Sequence, residues 1–255
     1  RSLAYEKRGG LVYVGEHFSL MNILTSKVNG KILEQQMKHI YRIAHAFSRR
    51  GYGPVPLGMG LSGTPLNESM IALHQILPKF KQDHKLQKVQ CVVLSDGEGY
   101  DLKRHTVVER PWEDEPYIGL SAIGHRCFLR DRNTGNTYSL DCEWYEYTDI
   151  LLRNLKDKFS DVNFIGIRVL ESRDANSFMR RYCKCEEVQN LQSSWKKERA
   201  FSIKTSGYDT YFGISCNSLS KESDFKVDDD ATKTQIKSAF VKSLRVKKMN
   251  KKILG

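Results

Sequence analysis

Residues 57–98 read LGMGLSGTPLNESMIALHQILPKFKQDHKLQKVQCVVLSDGE. The run opens with a Gly-rich loop holding Ser62 and Thr64. It continues over 66–80 with Leu66, Met70, Leu73, Ile76 and Leu77 at the spacing of one helix face, and closes with an apolar run at 89–94 followed at once by Ser95, Asp96 and Gly97. A continuously apolar strand is what a parallel strand buried on both faces requires. An Asp directly after it stands at the carboxyl edge of the sheet, the side on which open α/β sheets bind ligands. Two glycines beside Thr64 let a ligand approach the backbone closely. The stretch therefore predicts a hydroxyl and a carboxylate on one rim, and hard oxygens of this kind suit Mg²⁺ better than zinc. Each half also has a plain reading: Ser-Gly-Thr-Pro starts helices with Thr64 as cap and Pro65 in the first position, and Asp-Gly after a strand is a common turn. Their order, one strand-helix unit apart, favours the site.

Outward from this stretch, strand and helix alternate. Residues 11–14 read as a short strand, 16–26 as a helix with Phe18, Leu20, Met21 and Leu24 on adjoining faces, and 28–50 as a longer helix. That longer helix carries the stripe Ile32, Gln36, Ile40, Ile43, Ala44 and Phe47, stopped by Arg49, Arg50 and Gly51. After Asp96 a long polar loop is expected to about 120. A hairpin then turns at Asn133-Thr134-Gly135-Asn136 within 125–141, and together they form an insertion over about 97–146. Helices are expected at 147–159, 174–181 and 186–199, and strands at 162–170 (VNFIGIRVL) and 208–215. The pattern predicts an α/β fold, a doubly wound, mainly parallel, Rossmann-type sheet covered on both faces, occupying residues 1–216. A polar linker at 217–230 and a basic C-terminal helix at 231–255 follow, the helix showing Ile236, Ala239, Phe240 and Leu244 along one side.

The formal net charge of +11 is concentrated in that last segment, where Lys233, Lys237, Lys242, Arg245, Lys247, Lys248, Lys251 and Lys252 stand without an acidic residue and leave +3 for the rest. Such a tail could attract nucleic acid or an acidic surface, or simply dock its apolar stripe on the sheet. The six cysteines lack paired C-x₂-C spacing, which fits reduced thiols in a cytoplasmic setting; Cys183 and Cys185, the one close pair, would point to opposite faces of a strand. His39 and His45 have no partner at metal-ligand spacing, and no apolar run reaches membrane-spanning length. The chain begins with Arg1 and no apolar signal core follows, as expected of a fragment or processed product.

Gly60-Leu61-Ser62-Gly63-Thr64-Pro65-Leu66-Asn67-Glu68 and Leu94-Ser95-Asp96-Gly97-Glu98 together resemble the second and third motifs of the metal-ion-dependent adhesion site (MIDAS) in von Willebrand factor A (vWA) domains. The nearest resemblance is to the tailed-phage and bacterial branch similar to the cobalt-chelatase CobT subunit, and the Arg130–Gly135 hairpin sequence also looks like that branch. The resemblance spans most of 11–255, with specificity only in the two motifs. It implies that Thr64 and Asp96 bind Mg²⁺, with Ser62 as a neighbouring hydroxyl, and that a carboxylate of a protein partner completes the ion's coordination. It further implies a partner among MoxR-type AAA+ ATPases, a bacteriophage source and the host cytoplasm. The family's first motif, Asp-x-Ser-x-Ser, has no counterpart in this sequence, which is expected to begin after it; a site with two side-chain ligands should hold Mg²⁺ weakly.

Two other functions are weighed against this binding module. A metal-dependent hydrolase or peptidase rests only on scattered His, Asp and Glu without catalytic spacing. A nucleic-acid-binding structural protein rests on the lysine-rich tail. No nucleophile triad or phosphate-binding loop is present in the sequence.

Overall fold

The computed structural model describes residues 7–15, 18–48, 59, 63–219, 232 and 235. In chain order its elements are α1 (Gly30–Ala46), α2 (Leu66–His84), β1 (Val89–Ser95), β2 (Lys103–Val108), β3 (Tyr117–Ala122), β4 (Phe128–Arg130), β5 (Thr137–Ser139), α3 (Tyr147–Lys158), β6 (Val162–Leu170), α4 (Ala175–Tyr182), α5 (Cys185–Glu198), β7 (Ala200–Ile203), β8 (Thr210–Ser215) and α6 (Cys216–Leu219). The fold is α/β, and the chain divides into two units: one built from Arg1–Lys85 and Gly97–Lys158, the other from Leu86–Asp96 and Phe159–Gly255.

The second unit carries the main sheet, in the order β1-β6-β8-β7. β1, β6 and β8 are parallel, with Val89 opposite Val162 through Ser95 opposite Arg168, and Ile165 opposite Thr210 through Leu170 opposite Ser215. β7 returns antiparallel along β8, so the sheet is mixed. Ala200-Phe201-Ser202-Ile203 is short and directly follows a helix, and the alternation of strand and helix does not announce it. Asp209 ties the start of β8 to β6: its backbone N–H donates to the Phe164 carbonyl at 2.8 Å and its carboxylate accepts from the Phe164 N–H at 2.7 Å.

One face of this sheet is filled by aromatic rings. Phe178 of α4 meets Phe201 and Tyr211, and Trp195 of α5 meets Phe201, at centroid distances of 5.1 to 5.9 Å. Gly166 makes the packing possible. A Cβ there would lie 2.6 Å from a Tyr211 ring carbon and 2.7 Å from one of Tyr208, closer than carbon atoms approach. The opposite face is open along β1, where Val92 is 54% and Leu94 69% exposed. The expectation that the 89–94 strand is buried on both faces is thereby corrected. Among the described residues β1 pairs only with β6 and forms an edge of the sheet.

In the first unit α2 packs on α3. Met70 and Leu77 of α2 and Leu151, Leu152 and Leu155 of α3 are all buried, which explains why both helices are visible as apolar stripes. The polar loop expected after Asp96 instead contains the antiparallel pair β2–β3, hidden in the sequence by Lys103, Arg104 and His105 at its start. The strand expected at 11–14 is reduced to one bridge, Val12 to Arg104, flanked by backbone bonds from Gly10 to His105, His105 to Leu11 and Tyr13 to Lys103, each 2.8 Å. The hairpin is present as β4–β5.

The helix expected at 16–26 is absent over the described part, 18–26. Its stripe has no core to enter, with Met21 63% exposed, and so short a segment does not hold a helix unaided. The longer helix expected at 28–50 forms as α1, started by Asn29, whose side chain accepts from the Ile32 N–H at 3.0 Å; none of its residues is buried. The stop signals Arg49, Arg50 and Gly51, the linker beyond 219 and almost all of the basic segment lie outside the described residues.

Candidate functional site

Within the first unit the segment 63–67 and the loop 97–100 interlock at three points. The Thr64 side chain lies on Gly97, where an added Cβ would overlap the Thr64 hydroxyl and stand 3.0 Å from its Cβ. The Tyr100 ring lies over Gly63, which has a left-handed φ of +69°. Asn67 closes the third point: an added Cβ on Gly99 would stand 2.8 Å from its amide carbon, and its Nδ2 donates to the Tyr100 carbonyl at 2.6 Å. Asn67 is 1% exposed, and its Oδ1 accepts from the Thr148 hydroxyl at the start of α3, also at 2.6 Å. One buried amide thus fixes the first turn of α2 to the loop after Asp96 and to α3. Sequence reading placed Asn67 in the motif without a role; its one signal is a polar residue beside apolar Leu66 and Met70 on the inward side of a helix.

Thr64 does not act as the helix cap. The cap position is Pro65, with no side-chain cap bond, and the first turn is closed by Ser69, whose N–H and hydroxyl both donate to the Pro65 carbonyl. The simple cap reading of Thr64 is corrected: Pro65 itself occupies the non-helical position, which moves Thr64 one residue outside the helix and against Gly97. Asp96 closes the second unit's first segment, directly after β1, and its side chain is exposed. The peptide bond from Asp96 leads straight to the glycine that carries Thr64. Ser62 lies outside the described residues.

Two polar groups near these positions in the chain are buried without a hydrogen-bond partner. Glu68, one turn into α2 from Thr64, has such a carboxylate oxygen, Oε2. Arg168, opposite Ser95 in the β1–β6 register, has Nε and Nη1 in the same condition. Buried polar atoms are ordinarily paired, so both are acceptor or donor capacity waiting for a counterpart. Among the described residues no three His, Cys, Asp or Glu side chains stand together as a metal set. Within the first unit, the Thr64 hydroxyl and the orphaned Glu68 oxygen are both hard oxygens.

All six cysteines are free, and burial pushes the Cys91, Cys142 and Cys183 thiols up rather than down. Cys183 and Cys185 lie where α4 passes into α5, not on a strand as expected. His74 on α2 is held below its usual range by burial first and then by Lys158, with Asp131 and a hydrogen bond to Asn154 opposing.

Comparison of the chain with protein-family models, with curated proteins and with solved structures finds no match. Among the described residues no helix is long and apolar enough to cross a membrane.

Proposed function

We infer that the chain is the main body of a Mg²⁺-dependent protein-binding module, a vWA-like, CobT-like adaptor that works with a MoxR-type AAA+ ATPase, phage-encoded and acting in the host cytoplasm. The observation that carries this reading is the seating of Thr64 on Gly97, the residue joined to Asp96. It is what a site built from the second and third motifs needs, and an ordinary helix cap would not produce it. In this reading the mixed sheet is the described part of a doubly wound vWA-type sheet, and Thr64, Asp96 and Ser62 are the motif residues assigned to the ion. Bound Mg²⁺ supplies an open coordination position for a carboxylate of the partner. The chain's own residues do the rest: Asn67 and Tyr100 hold the two loops in place. No bond chemistry is assigned to the site.

The test is co-precipitation of a MoxR-type AAA+ ATPase with the chain in Mg²⁺ and in chelator, beside the Asp96→Ala variant. Capture that needs Mg²⁺ and is lost in Asp96→Ala, with the circular dichroism spectrum unchanged, supports the reading. Capture that survives the chelator removes it.

A further inference from the structure

The β4–β5 hairpin has three residues in each arm, too few to stand alone, and it is held to α3 by its inner side. Leu129 and Tyr138 face each other across the ladder and are half-buried, and the Tyr138 hydroxyl donates to Asp157 of α3 at 2.6 Å. At the turn, one Asp131 carboxylate oxygen accepts from the N–H groups of Asn133 and Thr134 at 2.7 and 3.3 Å, while the other accepts from the Asn154 amide of α3 at 3.0 Å.

Because successive side chains alternate between faces, fixing Leu129 and Tyr138 inward turns Phe128, Arg130, Thr137 and Ser139 outward, and all four are exposed. Phe128 is 63% exposed, opposite the small Ser139; Arg130 is opposite the small Thr137, so neither ring nor guanidinium is covered by its neighbour. Arg126 and Arg132 flank the arm, both exposed. No ion pair to Arg126, Arg130 or Arg132 is found among the described residues. The nearby acids are already engaged, Asp131 as above and Asp141 by His125 at 2.7 Å. The outer face of β4 thus presents an exposed ring beside the uncommitted Arg130 guanidinium, with Arg126 and Arg132 in the adjoining turns.

We propose that this outer hairpin face binds single-stranded nucleic acid, with a base stacked on Phe128 and the flanking phosphates met by Arg126, Arg130 and Arg132. Single strands expose the base faces that a duplex hides, and aromatic stacking between cations is how sequence-tolerant single-strand sites are built. An acidic peptide would use the arginines but would leave the ring without a planar partner.

The test measures anisotropy of a fluorescein-labelled oligothymidylate of about 15 nucleotides, within the span that single-strand sites cover, against the full chain at low salt. Phe128→Ala changes no charge and, the side chain being exposed, leaves thermal melting unaltered; it should weaken binding about tenfold, the fold-change expected for one lost stacking contact. Arg130→Gln should lower the slope of log affinity against log salt by about one. The lysines of 231–255 acting alone would leave the Phe128→Ala affinity equal to that of the parent, and that result overturns the proposal. So does absence of oligothymidylate binding at low salt, or binding of poly-glutamate that depends on Phe128 while oligothymidylate is ignored, which assigns the face to an acidic protein.

Discussion

Asn67→Ala should be among the most damaging single changes in the first unit, although it removes no apolar surface from the core. The amide is 1% exposed and makes two short hydrogen bonds, one to the Tyr100 carbonyl and one from the Thr148 hydroxyl, itself buried. Truncation leaves that carbonyl and that hydroxyl without partners; the buried Thr148 hydroxyl so stranded costs about 1–3 kcal/mol, while the Tyr100 carbonyl, on an exposed residue, loses only the net worth of its bond, about 1 kcal/mol. The sum is about 2–4 kcal/mol. Thr148→Val strands only the Asn67 oxygen and should cost about 1–3 kcal/mol. The double variant should cost less than the two singles together, because both remove the same bond. Urea unfolding followed by tryptophan emission and by circular dichroism measures all three. A cost for Asn67→Ala within about 0.5 kcal/mol, the size of an ordinary surface change, would refute the view that this amide holds the two loops together.

Gly97→Ala should destabilise the chain by about 1–3 kcal/mol, the usual cost of forcing extra atoms into a filled space. Most of that cost should vanish in a Thr64→Ala background, where the hydroxyl it collides with is gone; equal costs in both backgrounds, read from the same urea melts, would show that Thr64 is not seated there. The imidazole of His74 is kept neutral in the fold, chiefly by burial, so below about pH 6.5, its unperturbed value, the unfolded chain takes up a proton that the folded chain resists. Stability should therefore fall as pH falls through that value and level off below the folded-state pKa, and His74→Gln should flatten this limb; parallel stability–pH curves for the two proteins would count against it.

What the sequence makes legible follows from how strongly each element depends on its own residues. VNFIGIRVL is apolar at most positions, broken only by Asn163 and Arg168, because β6 lies between two parallel neighbours, and its predicted bounds coincide with the observed strand. α2 and α3 are likewise visible as stripes because each buries one face. The β2–β3 pair escapes notice because β2 opens on Lys103, Arg104 and His105 and the apolar side chains Val107, Ile118 and Leu120 stay exposed rather than marking a core face, and β7 escapes because four residues carry too little pattern. β1 misleads in the other direction: its composition is that of a central strand, and its place at an edge depends on which segments pair with it, something no local pattern contains. At the candidate site the motif residues Thr64 and Asp96 are readable, whereas the supporting Asn67–Tyr100–Thr148 connections join residues distant in the chain and become visible only when the backbone is folded.

The glycine beneath Tyr208 and Tyr211 ties three positions into one heritable unit. A side chain can be gained at Gly166 only in step with the shrinking of a ring above it, because either change made first leaves a collision or a void. Natural variants of this protein should accordingly exchange residues 166, 208 and 211 as a set, and drift at any one of them by itself should be rare.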